Sequence, residues 1–137
     1  MRSVAFVLLL SNALVFSTIL AGCSNATATK SATSVAVGTV TIVIDDGKET
    51  VEHKIENVSA GTTVEQLMRE LDGETTKISG SGSTAILTSL RGLTNAGTQG
   101  WTYRVDEDWA DRSMGAYELT PPATVLWKYG DFAEMNE

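Results

Sequence analysis

Apolar residues recur along this chain with different periods, and each period predicts a different element. Val40-Thr41-Ile42-Val43-Ile44 is β-branched throughout, Asp45-Asp46-Gly47-Lys48 supplies turn residues, and Glu49 to Ile55 alternates with Val51 and Ile55 on one face. That pattern predicts a β-hairpin. His53, the only histidine, falls on the same side as Val51 and Ile55 and reads as a half-exposed strand filler. Val64, Leu67, Met68 and Leu71 follow at helical spacing, after Thr62-Thr63, which can form a capping box with Glu65 or Gln66. Gly73 is placed to stop that helix in a left-handed conformation. Beyond a Gly/Ser loop at 80–83, Ala85 to Leu90 reads as a strand ending at Arg91-Gly92. Trp101, Tyr103 and Val105 alternate, as do Val125, Trp127 and Tyr129, and both runs read as strands with aromatic faces. Pro121-Pro122 marks a turn before the last of them. Hairpin, one short helix, then several strands, without internal repeat, describes an α+β domain: a β-grasp-like, mostly antiparallel or mixed sheet with the helix packed on it.

The N-terminal stretch follows no such period. After Met1, Arg2 and Ser3 the chain runs uncharged from Val4 to Gly22, the layout of a signal sequence. Interrupted by Ser11, Asn12, Ser17 and Thr18, it is short for a helix crossing a hydrocarbon core about 30 Å thick. Leu20-Ala21-Gly22-Cys23 resembles the bacterial lipobox, which implies that the thiol of Cys23 receives a diacylglyceryl group. Each buried acyl methylene contributes about 0.8 kcal/mol, and two chains hold stably where one does not. Ser24 to Ser34 is small and polar and reads as a flexible tether. The expected organisation is a signal peptide at 1–22, a tether from Cys23 at 23–36, a domain at 37–132 and a tail at 133–137. The protein is then expected at the cell membrane, lipid-anchored on its extracytoplasmic face. Cys23 is the only cysteine, so the domain must be stable without a disulfide.

Composition narrows the partners. The formal charge is −7, and loss of Arg2 with the signal leaves nine basic against 17 acidic residues, −8. Nucleic acid and anionic lipid are poor partners for such a surface. All three tryptophans and all three tyrosines lie between positions 101 and 129. Aromatic faces suit flat or ring-shaped ligands, giving contact area at little cost in rotamer entropy. Trp127 and Tyr129 read as core by alternation, and Trp109, between acids and off any clear strand, as the most exposed aromatic. The acidic run Asp106-Glu107-Asp108 with Asp111 lacks the spacing of an EF-hand, because Ala110 stands where a ligand is needed. No zinc-ligating cluster, Gly-x-Ser-x-Gly elbow or activated thiol is present. The expectation is a protein that is not an enzyme and carries no metal or cofactor.

Three blocks give the C-terminal half a family likeness: Ile86-Leu87-Thr88-Ser89-Leu90-Arg91-Gly92-Leu93, Trp101-Thr102-Tyr103-Arg104-Val105, and Gly115-Ala116-Tyr117-Glu118-Leu119 leading into Val125-Leu126-Trp127. In this order they resemble transcobalamin C-terminal-like domains, and with the hairpin and helix start the resemblance spans roughly residues 38 to 130. In animal cobalamin carriers the similar domain covers one face of the corrinoid while a helical domain holds the other. Bacterial members are commonly exported or tethered modules. Carriers place an aromatic, Trp, Gln triplet at the corrin contact, of which Gly100-Trp101-Thr102 keeps the tryptophan. Relatives commonly have Asn-Gly where this chain has Asp106-Glu107, and Gly-Asp where it has Pro122-Ala123, implying turns built differently here. The ligand-binding residues expected are Trp101, Thr102, Tyr103, Trp109 and Tyr117. The resemblance implies a surface module capturing a corrinoid or other small ring-shaped ligand for a membrane transporter. An adhesion or assembly domain binding another surface protein or a wall glycan is the alternative.

Overall fold

The computed structural model describes residues 35–135. Cys23 and the stretches expected to be signal sequence and tether, up to Ser34, lie outside the described residues, as do the last two positions of the chain given. Strands β1 (Val37–Asp45) and β2 (Thr50–Ser59) form the expected hairpin, followed by helix α1 (Val64–Glu70). Then come β3 (Thr76–Ser79), β4 (Ile86–Leu90), β5 (Leu93–Thr94), β6 (Gln99–Val105), β7 (Asp108–Trp109) and β8 (Ala123–Asp131). Five strands make one sheet in the order β2-β1-β8-β6-β7, and three make a smaller one, β3-β4-β5. β8 runs parallel to β1 and antiparallel to β6, so the sheet is mixed and the α+β, β-grasp-like expectation is met.

Strand register explains the core. Val40, Ile42 and Ile44 stand opposite Ala123, Val125 and Trp127, so one face of the sheet is apolar without interruption. Ile42 and Ile44 are fully buried, and burial of each contributes about 1.5–3 kcal/mol over exposure. The same buried cluster takes in Val64, Leu67 and Met68 of α1 and Leu87 and Leu90 of β4. Helix and small sheet therefore cover the same face. Seven residues are too few for a helix to persist alone, so α1 depends on that packing and on its cap. Thr63 is the N-cap: its Oγ accepts from Gln66 N at 3.3 Å while Gln66 Oε1 accepts from Thr63 N at 2.8 Å. The helix closes at Glu70 with Leu71 extended, and Gly73, at φ +83, shapes the turn that follows.

Two turns depart from simple expectation. Arg91 and Gly92, at φ +52 and +81, make the tight turn between β4 and β5. Asp106 and Glu107, at φ +50 and +79, do the same between β6 and β7. This corrects the inference that an Asp-Glu pair demands a differently built turn: the left-handed conformation favoured by Asn-Gly is kept with poorer residues. Asp106 holds it by exchanging bonds with Thr124, whose N donates to Oδ1 at 2.7 Å and whose carbonyl accepts from Asp106 N at 2.9 Å. At the C-terminal end the order continues beyond β8, since Met135 is buried over Gly130.

Candidate functional site

Alternation along β6 splits the expected site residues between two faces. Trp101 and Tyr103 point into the core side, and Thr102 points away, its hydroxyl 3.2 Å from Met135 Sδ. Trp101 is only 5% exposed, and its Nε1 donates to Leu93 O at 3.0 Å. It packs at 5.2 Å against Tyr129, whose hydroxyl donates to Thr94 O at 3.0 Å. Tyr103 stacks on Trp127 at 4.8 Å and meets the edge of Tyr117 at 6.0 Å. The tryptophan of the resemblance is thus a core residue with its polar group satisfied.

Trp109 is half-buried and lies in the short strand β7, opposite Arg104, whose guanidinium carbon sits 3.9 Å above the indole. One face of the ring is capped by that cation, an attraction worth about 0.5–1 kcal/mol at such a site. Beyond β7 the chain crosses from 110 to 119 as a loop tied at many points. Ala110 N donates to Tyr103 O, Val64 N to Tyr117 O, Glu65 N to Met114 O, and Leu119 N to Thr62 O. Ser113 Oγ lies 2.8 Å from the carbonyls of both Gly82 and Ala85. The Glu65 side chain holds α1 to the same Gly82, accepting from Arg69 at 2.7 and 2.9 Å and from Gly82 N at 2.8 Å. The Arg69 hydrogen bonds, then that from Gly82, hold its carboxyl below the usual range.

This loop separates two hollows. On its outer side Trp109 and Tyr117 come together around Arg112, with Asp108, Asp111 and Glu118 at the margin, lining a crevice of about 510 Å³. That volume falls within the range of small-molecule sites. Arg112 lies 5.6 Å over the Tyr117 ring and pairs with Asp111 at 2.7 Å, which lowers the Asp111 carboxyl. The crevice thus offers two ring faces, one cation and several hydrogen-bond acceptors. On the inner side Trp101, Tyr103, Trp127, Met114 and Ile86 line a smaller, mainly apolar cleft of about 180 Å³. Ile86 is 59% exposed there, unusual for a large aliphatic side chain. Tyr103 crosses between the hollows, donating its hydroxyl to Arg112 O at 2.8 Å, and burial followed by the neighbouring Tyr117 pushes its pKa well up. Trp127 is 2% exposed, yet its Nε1 has no hydrogen-bond partner. An unanswered buried donor costs about 1–3 kcal/mol, so this ring is held in place by packing alone.

The structure therefore brings Trp109 and Tyr117 to one hollow, Trp101 and Tyr103 to the wall of its neighbour, and leaves Thr102 on the opposite face. Sequence reasoning missed Arg112, Arg104 and Ile86. Arg112 had a signal, as the one cation in an acidic stretch that also carries aromatics. The acidic run forms a turn and a crevice margin. Among the described residues no group of three or more His, Cys, Asp or Glu side chains is placed to hold a metal ion.

An α+β module with an aromatic-walled crevice at one end is the class these features define. A family model described as "Domain of unknown function (DUF4430)" matches residues 61–131, and the chain belongs to that family. No curated protein matches it in sequence. Solved structures share its fold, two of them as follows. One, from Ruminococcus gnavus ATCC 29149, is named as a candidate metal binding protein; it is 7% identical, with a TM-score of 0.58 over 69% of this chain and 97% of that one. The other is haptocorrin in complex with Cbi, 15% identical, with a TM-score of 0.56 over 71% of this chain and 26% of that one. At these identities the likeness is one of fold. The chain spans about a quarter of haptocorrin's length, and both neighbours are named for binding rather than catalysis.

Proposed function

We propose that this protein is a non-enzymatic ligand-binding module, held at the extracytoplasmic face of a membrane by lipid on Cys23, that captures a corrinoid or another small ring-shaped ligand for a membrane transporter. The observation that carries the reading is the pair of hollows sharing Arg112, one walled by Trp109 and Tyr117, the other by Trp101, Tyr103 and Trp127. Ring faces take the flat part of a ligand, and Arg112 is a donor for its amide or carboxylate oxygens. A haptocorrin of the same fold bound to Cbi supports a ring-shaped ligand. Because the likeness covers 26% of haptocorrin, a second protein is expected to complete the enclosure.

Isothermal titration of the protein with cobinamide tests this. Saturable binding weakened at least tenfold by Trp109→Ala and by Arg112→Ala is expected; a flat titration counts against a corrinoid. Loss of labelled palmitate incorporation in Cys23→Ala tests the anchor separately.

A further inference from the structure

At the end of the sheet opposite β7 lies β2, which pairs only with β1. Among the described residues the one backbone hydrogen bond that β2 makes outside its pairing with β1 is at its end, from Thr62 N to Ser59 O, so alternate N–H and C=O groups along the rest of the strand remain open. A groove of about 530 Å³ runs beside it. Five consecutive residues, Glu52 to Glu56, line that groove. Since neighbouring strand residues point to opposite faces, the groove follows the strand's edge rather than one of its faces. Its other wall is α1 and the residues after it. Ile55, Leu67 and Leu71 give it an apolar floor, and Glu52, Glu56, Glu70 and Asp72 a rim answered only by Lys54. None of these five charged side chains has an ion-pair partner within the described residues.

We propose that this edge docks an extended basic segment of another protein, which adds to the sheet as a strand beside β2 with alternate apolar side chains on the floor and Lys or Arg against the rim. Open backbone groups give affinity without regard to sequence, and the flanking side chains choose the partner. Charge complementarity fixes that choice: four carboxylates against one lysine favour a cationic strand. A second copy is disfavoured, because antiparallel self-pairing centred on Lys54 sets lysine against lysine and Glu52 against Glu56. The surface is distinct from the aromatic hollows, so the inference stands or falls apart from the proposed function.

The probe is a peptide as long as β2, ten residues, alternating lysine and valine. It would be titrated into the full-length protein and followed by amide chemical shifts. Shifts confined to β2 and α1 are expected, with affinity falling about tenfold in the double variant Glu56→Lys, Glu70→Lys. A peptide of equal charge with alternate backbone nitrogens methylated cannot add as a strand and is expected not to bind. Equal binding of the methylated peptide, shifts centred elsewhere, or no binding would overturn the proposal. So would sedimentation showing a dimer dissociated by the double variant.

Discussion

Trp101 and Trp109 lie eight positions apart, and the structure gives them opposite work, which truncation separates. Trp101 is 5% exposed, its ring packed on Tyr129 and its N–H bonded to Leu93 O. Replacing such a residue by alanine costs about 3–5 kcal/mol, cavity included. The abandoned Leu93 carbonyl adds about 1 kcal/mol. For a domain of this size each kcal/mol lowers Tm by roughly 4–8 °C, so Trp101→Ala is expected to melt at least about 15 °C below the parent. Trp109 is half-buried and held chiefly by Arg104 at 3.9 Å. Losing that contact and part of the burial costs less than about 2 kcal/mol. Urea titration followed by far-ultraviolet circular dichroism, with Tm from thermal melts, measures both variants. Equal losses, or a cost below about 1 kcal/mol for Trp101→Ala, would refute the division into core and site. Loss of ligand binding in Trp101→Ala would then reflect unfolding rather than a missing contact.

Glu107 holds φ +79 on the surface with a side chain that makes this conformation unfavourable by about 1–2 kcal/mol, so Glu107→Gly is expected to raise the urea midpoint; a lowered midpoint would contradict the turn assignment. Gly115→Ala places a methyl against Glu65 Oε2 and the carbonyl of Gly82, and is expected to cost about 1–3 kcal/mol and loosen the 110–119 loop, seen as faster hydrogen exchange at Val64 and Leu119. Glu65 is lowered from its ordinary value of 4.5, and Asp46 and Asp131 from 3.8, by the hydrogen bonds they accept. The unfolded chain then binds more protons than the folded one in acid. The stabilisation these groups give is complete above about pH 4.5 and disappears as pH falls through their lowered folded values. A urea midpoint that declines from pH 5 to pH 3 less steeply in Glu65→Gln than in the parent checks the sign.

The hairpin, the helix and the aromatic strands were legible because each carries its own period, and a capping box on Thr62 or Thr63 announced the helix start, which the structure resolves as Thr63 with Gln66. β3 and β7 were not, since four and two residues hold too little alternation to register. The parallel pairing of β1 with β8 joins residues more than 80 positions apart, and no local pattern encodes it. At the site, sequence found the aromatics but not their sides. Tyr117 and Trp109 meet only because loop 110–119 is tied down by Glu65 and Ser113, hydrogen-bonding partners that no spacing rule connects. His53 likewise reads as a strand filler, whereas its Nε2 meets Glu74 at 3.0 Å, and Glu74 in turn reaches Arg91 at 3.4 Å. Arg91 also pairs with Glu49 at 2.6 Å, so this chain of polar contacts joins the hairpin to the β4–β5 turn.

The most direct test of recognition through the aromatic end follows the three indole N–H resonances of the isotope-labelled protein while cobinamide is added. Trp109 at the crevice and Trp127 in the wall of the cleft should both move and saturate together, while Trp101, whose N–H stays bonded to Leu93 O, should move less. Three unmoved signals at high ligand concentration, or movement of Trp101 alone, would contradict the account.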